Sequence, residues 1–132
     1  MNKSEILAGF NNHMNDFFND VSKIFPDDLD IKVAQKGLIA IRLANPKLVI
    51  NIWQYYIADK YGEAIVAGNM DFFLTRNYAN DLQDNDYINA STILNKIDVL
   101  REPMKQMGKE NLDKTILYMQ NLTKLCNLYN SN

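Results

Sequence analysis

The chain of 132 residues has few of the residues that build many functional sites, with one cysteine, Cys126, and one histidine, His13. A lone cysteine cannot close a disulfide within the chain, so the sequence fits a reducing compartment. One histidine and one cysteine cannot supply the four ligands of a closed structural zinc site. The composition therefore excludes an internal disulfide framework and a zinc finger built from one chain.

Catalytic patterns are scarce as well. The five glycines lie too far apart to form a phosphate-binding loop. Cys126 falls on the apolar stripe of a predicted helix, which is typical of a core residue, and His13 has no acid–nucleophile pattern around it. The dense carboxylate cluster at residues 27–30 coincides with a helix start, which accounts for its acids better than a cation site does. We predict no enzymatic activity, no cofactor and no metal site.

Long apolar runs are also missing. The longest stretches, at 37–41 and 48–52, are far shorter than the roughly 18 apolar residues of a membrane-spanning helix. The first five residues lack the pattern of a signal peptide. We predict no membrane span and no secretion through a signal peptide.

The balance of charge is slightly acidic, with a net charge of −2 and a pI of about 5.3. This disfavours sequence-independent binding to nucleic acid, which depends on neutralising phosphates. The charge is nevertheless distributed in blocks, since segments 1–30 and 61–100 are acidic whereas 31–60 and 101–132 are basic. Such blocks fit solvated helix faces, or complementary contacts within the fold or between subunits.

Asparagine is the residue in excess, with 18 copies. Asn11, Asn12, Asn15 and Asn19 fall inside the first predicted helix, largely off its apolar stripe, although asparagine is a mediocre helix former. We interpret this excess as the background of an AT-rich coding genome.

The apolar spacing predicts helices along the whole chain. The first helix runs from a cap at Ser4 to Phe25, where Pro26 stops it. Its apolar stripe has spacings of 3 and 4 and comprises Leu7, Phe10, Met14, Phe17, Val21 and Ile24. The last helix, at about 110–129, has a similar stripe, which comprises Leu112, Ile116, Met119, Leu122, Cys126 and Tyr129. We predict that these two helices pack against each other or against another chain.

The segments between them predict shorter helices. The second helix spans about 28–44, with inward residues Val33, Ala34, Leu38, Ile41 and Leu43. A third follows Asn45 and Pro46, with Trp53 as the core anchor. Short helices are predicted at 61–67, closed by Gly68, and at 71–74, then a loop at 80–86 and a helix from about 86 that Pro103 kinks or ends. The fold class is all-α: residues 1–132 form a single compact bundle of about five to seven helices with a frayed tail at 130–132.

Two residue sets are candidates for binding. The first is a group of aromatic side chains that would serve as exposed anchors for a protein partner or would fill the core, comprising Tyr55, Tyr61, Phe72, Phe73 and Tyr78. The second is a basic set followed by aromatics, which suits a nucleic-acid backbone with stacked bases or simply a solvated face, comprising Lys32, Lys36, Arg42 and Lys47.

Three stretches together carry a resemblance to known proteins: FPDDLDI at 25–31, NPK at 45–47 leading to Trp53, and LREP at 100–103 through YMQNLTKL at 118–125. They resemble a group of small uncharacterised all-helical proteins of large nucleocytoplasmic double-stranded DNA viruses of algae and protists. The resemblance covers about residues 15–129 and carries over no functional residue. It implies a location in the virion, or in the viral factory of the host cytoplasm.

These patterns lead to a prediction of function. We predict a non-enzymatic structural or interaction protein that assembles with itself or with other viral proteins, such as capsid-associated ones, as a virion component. The alternative is a nucleic-acid-binding accessory protein that uses the basic segment 31–60.

Overall fold

A computed structural model describes residues 2–75 and 90–131, and the backbone in these ranges forms helices without strands. The helices are α1 (Lys3–Ile24), α2 (Leu29–Ala44), α3 (Leu48–Trp53), α4 (Asp59–Val66), α5 (Asp71–Thr75), α6 (Ala90–Asp98), α7 (Arg101–Lys105) and α8 (Lys109–Ser131). A π-helical turn, Gln54–Ala58, joins α3 to α4 without a break. The prediction of an all-α bundle with long first and last helices is confirmed. The predicted loop at 80–86 lies outside the described residues.

Helices α1 and α8 pack along each other, as their matching stripes predict. Phe10, Met14, Phe17 and Val21 of the predicted α1 stripe are buried. The predicted cap at Ser4 is wrong, because α1 begins before this residue.

The start of α1 is fixed by Asn2, whose Oδ1 accepts a hydrogen bond from the Glu5 backbone N–H at 2.8 Å. Asparagine is as good an N-cap as serine. Which of Asn2 and Ser4 caps the helix depends on backbone angles, and the spacing of apolar residues does not reveal them.

Helix α2 rests on the bundle through Ile31, Ala34 and Leu38, which are buried. Asp28 caps its start, close to the predicted boundary. The prediction that Val33 and Leu43 point inward is wrong, since both are exposed. The helix is apolar on nearly every side, so its pattern does not reveal which side meets the neighbouring helices.

Trp53 is the core anchor, as its sequence context predicts. Its side chain is fully buried, and its Nε1–H donates a hydrogen bond to Thr123 Oγ1 of α8 at 3.2 Å. Phe10 of α1 meets the indole edge-on, with ring centroids 6.3 Å apart. Trp53 therefore ties α1, α3 and α8 together at one point of the core.

The helix boundaries in the middle of the chain lie at or near the glycine and the proline that predict them. Gly68 has a positive φ of 78° and closes the α4 segment, as predicted. Asn69 Oδ1 then accepts the Asp71 backbone N–H at the start of α5. Pro103 lies within the short helix α7, beyond the end of α6 at Asp98, so the helical path breaks close to where the proline predicts.

The last helix includes two residues of the segment that is predicted to fray. Helix α8 extends to Ser131, and Asn130 Nδ2 donates hydrogen bonds to Gln54 Oε1 at 3.0 Å and to the Cys126 carbonyl at 2.9 Å. The Asn130 amide thus has a tertiary partner that no local pattern reveals. Asn132 lies outside the described residues.

Candidate interaction surface

The outer face of α2 carries several large apolar side chains that are exposed to solvent. We define it by four large apolar side chains: Leu29, Val33, Ile39 and Leu43, which are 67%, 66%, 41% and 81% exposed. Single exposed leucines are ordinary on protein surfaces, whereas several on one helix often mark a binding site. This face is therefore the best candidate for protein contacts.

The inner side of α2 is anchored to α1 by amide groups. Gln35 Nε2 donates hydrogen bonds to Asn15 Oδ1 at 2.8 Å and to Asn19 Oδ1 at 2.7 Å. Arg42 Nη1 donates to Asn12 Oδ1 at 2.9 Å. These contacts, with the buried residues between them, hold the outer face in one orientation.

The asparagines of α1 thus have a structural role. Beside the three that contact α2, Asn11 is buried and its Nδ2 donates a hydrogen bond to the Pro46 carbonyl at 2.9 Å, in the turn after α2. These four asparagines therefore hold α2 and the turn after it against α1.

Charge is polarised along α2. The exposed carboxylates of Asp27 and Asp30 lie at its start, where Asp28 Oδ1 also accepts the Asp30 backbone N–H at 3.0 Å. The exposed Lys47 lies just beyond its end, whereas Arg42 in the last turn bonds to Asn12 on the inner side. One end of the face is therefore acidic and the other basic.

The four residues of the basic set lie on and around this helix. Lys32, Lys36 and Lys47 are exposed, whereas Arg42 is half-buried and bonded to Asn12. Among the described residues none of the three lysines forms an ion pair. These three lysines are therefore accessible to a negatively charged partner.

The aromatic set is divided by the structure. Phe72 and Phe73 belong to the core, so they are not exposed anchors, because α5 turns both rings inward. Tyr61 is half-buried and stacks on Phe72 with centroids 4.3 Å apart. Tyr55, 40% exposed, remains a candidate for partner contact, and Tyr78 lies outside the described residues.

A cleft between α1 and α8 is lined by polar residues that no sequence pattern places together. A cavity of about 220 Å³ is lined in part by His13, Asp20, Lys114 and Tyr118. The Tyr118 hydroxyl donates a hydrogen bond to Asp20 Oδ2, and the His13 ring lies 4.7 Å from the Tyr118 ring. Because His13 and Tyr118 are far apart in sequence, no local spacing predicts their meeting.

The electrostatics of this cleft favour the neutral forms of Tyr118 and His13. Burial, followed by the bonded Asp20 carboxylate, raises the pKa of Tyr118 far above its usual value, so the phenol stays protonated. Burial also lowers the pKa of His13, against the opposing effect of Asp16, and its buried Nε2 has no hydrogen-bond partner in the described part of the chain. The Tyr118 hydroxyl is therefore not activated as a nucleophile.

Cys126 is a core residue, as predicted. Burial, with a smaller effect of the Asp59 charge, raises the pKa of its thiol well above the usual range, so the reactive thiolate is disfavoured. Its Sγ donates a weak hydrogen bond to the Ile50 carbonyl at 3.4 Å. Within residues 2–75 and 90–131, His, Cys, Asp and Glu side chains do not gather in the groups of three or more that could hold a metal ion.

His13 makes stability depend on pH. Since its pKa is lower in the folded chain than the ordinary 6.5, the unfolded chain binds the proton first as the pH falls. Stability is therefore lost as the pH drops through 6.5, and we expect the Tm from circular dichroism to be lower at about pH 5.5 than at about pH 7.5. H13Q should show a smaller drop, and an equal drop in both proteins would contradict this role of His13.

Comparison of the chain with protein-family models, curated proteins and solved structures finds no match. Among the helices of the described ranges, not one combines the length and apolarity that crossing a membrane requires.

Proposed function

We propose that the protein is a non-enzymatic interaction protein that assembles with itself or with other proteins through the outer face of α2. The observation that carries this proposal is the exposure of Leu29, Val33, Ile39 and Leu43 on a helix whose other side is anchored to the core. Burying these side chains against a partner would remove apolar surface from water, which is the main driving force of association.

The setting that we propose is a large DNA virus, with the protein in the virion or in the viral factory of the host cytoplasm. This rests on the three stretches that resemble such viral proteins, two of which, 25–31 and 45–47, border the outer face of α2. Protein quantification in purified particles tests the setting: high copy number supports a structural role in the virion, and absence from particles contradicts it.

The interaction itself is tested with matched double variants. L29S/L43S removes apolar side chains from the outer face of α2, whereas L117S/L128S makes the same change at exposed leucines of α8, which are 53% and 48% exposed. Cross-linking in cells that contain the natural partners should give adducts with the wild type and with L117S/L128S. The L29S/L43S protein should lose most of them.

Both variants should keep the circular dichroism and nearly the Tm of the wild type, because the substituted leucines are exposed. Equal adducts from both variants, or no adducts from the wild type, would refute the proposed function.

Nucleic-acid binding is the second candidate, and the exposed lysines on and beside α2 favour it. The residues that would contact phosphates are Lys32, Lys36, Arg42 and Lys47. Trp53 is buried, so the aromatic side chain on which a base would stack is Tyr55. Binding through phosphates would weaken steeply with salt and would be reduced by neutralising Lys32 and Lys36. Undetectable binding at low salt would rule this candidate out.

A further inference from the structure

We infer that the outer face of α2 pairs with the same face of a second copy of this chain, with the two α2 helices antiparallel about a two-fold axis. The inference rests on the proposed function, and it specifies the partner and its orientation. A symmetric pair requires one face that complements itself, both in its apolar pattern and in its charges. The outer face of α2 meets both requirements.

The apolar pattern is that of a short helical seam. Leu29, Val33, Lys36, Ala40 and Leu43 follow one another at intervals of four, three, four and three residues, and all five are exposed. Such spacing places side chains along one line of a helix, where they can interlock with an equivalent line of a second helix. The seam runs over nearly the full length of α2.

The charges select the antiparallel orientation. In that orientation the acidic start of α2, with Asp27 and Asp30, lies beside the basic Lys47 at the end of the second α2. Because the pair is two-fold symmetric, this favourable contact occurs twice in the dimer. A parallel pair would instead bring acid to acid and base to base, and it would align the helix dipoles unfavourably.

Lys36 is the polar residue of the seam. In a register that sets Val33 against Leu43 of the second copy, Lys36 lies against Ala40 of the second copy. The small Ala40 leaves room for the aliphatic part of Lys36, whose ammonium group reaches solvent. A single polar residue in a helical seam fixes orientation and weakens the association.

The extent of the seam predicts a weak dimer. Helix α2 has 16 residues and is therefore about 24 Å long. One such face buries much less than the roughly 1,600 Å² of a standard interface. We expect a dissociation constant of about 10–100 µM, in the range where electrostatic changes are readily measured.

Sedimentation equilibrium of the full chain, from micromolar to millimolar concentration, tests the pairing. D30K should weaken the dimer about tenfold, since it places a second positive charge beside Lys47 of the second copy, and K47E should do so by setting two acids together. D30K/K47E should recover the dimer, because the attraction is restored with its signs exchanged. K109D/D113K, which exchanges an exposed ion pair on α8, is the matched control and should leave the dimer unchanged.

A further variant examines the seam itself. K36L adds an apolar side chain against Ala40 and should tighten the dimer about tenfold or more. Circular dichroism verifies that each variant is folded, and all the substituted residues are exposed. A K36L dimer no tighter than the wild type would contradict the seam.

The outcomes separate this inference from the proposed function. A wild-type monomer at millimolar concentration, or single charge variants without effect, overturns the antiparallel pair. If cross-linking still depends on Leu29 and Leu43 in that case, the partner is another protein and the proposed function stands. If neither dimer nor adducts form, both fail.

Discussion

Replacing Trp53 with alanine should lower the free energy of unfolding by about 4 kcal/mol, the largest effect that we expect from one substitution. The indole is fully buried, contacts Phe10 edge-on and bonds to Thr123. Truncation leaves a large cavity where α1, α3 and α8 meet, and the surrounding helices can collapse into it only in part. In thermal melts the Tm should fall by about 12 °C.

The hydrogen bond of the indole is tested separately with T123V. This change removes the acceptor and leaves the buried Nε1–H unsatisfied, which should cost about 1–2 kcal/mol. W53F should cost less in the T123V background than in the wild type, because in T123V it also removes the unpaired donor. A Trp53→Ala loss no larger than that of T123V would show that packing around the indole is loose.

Replacing Phe17 with alanine should lower the free energy of unfolding by about 3–4 kcal/mol. Phe17 is buried between α1 and α8, where its ring stacks on Tyr118 with centroids 5.0 Å apart and an interplanar angle of 3°. Its loss opens the contact between the two long helices. Urea denaturation followed by circular dichroism measures the change.

The control for Phe17 is Leu117, which lies on α8 near the same contact but is 53% exposed. L117A should change stability by less than about 0.5 kcal/mol, because an exposed side chain contributes little to packing. Similar losses from F17A and L117A would indicate that α1 and α8 do not pack as described.

The two long helices were predictable because each has one apolar stripe. In α1 and α8 the spacings of three and four leave a polar remainder, so the buried side follows from the sequence. Helix α2 has apolar residues around most of its circumference. Its inward side is decided by the neighbouring helices, which the local pattern does not contain, and for this reason the prediction for Val33 and Leu43 is wrong.

The candidate site was predictable in part. Helical spacing brings Lys32 and Lys36 of the basic set to neighbouring exposed positions on α2. The exposed apolar side chains beside them were missed, since apolar residues on a helix are usually assigned to the core. The pairing of Tyr118 with Asp20, and of Asn12 with Arg42, joins residues far apart in sequence, and such contacts depend on the tertiary fold.

The π-helical turn between α3 and α4 has a consequence for the alignment of the two helices. Four residues of this continuous helical segment follow at intervals of four: Trp53, Ile57, Tyr61 and Ile65. In a regular α-helix each such step would shift the side chain by about 40° around the helix axis, so the last residue would no longer face the same side as the first. The wider π turn absorbs one residue, so Ile65 still faces the core, as Trp53 does. Removing a single residue from this turn would rotate α4 by about 100° relative to α3. The length of this turn, as much as its composition, therefore sets which side of α4 meets α8.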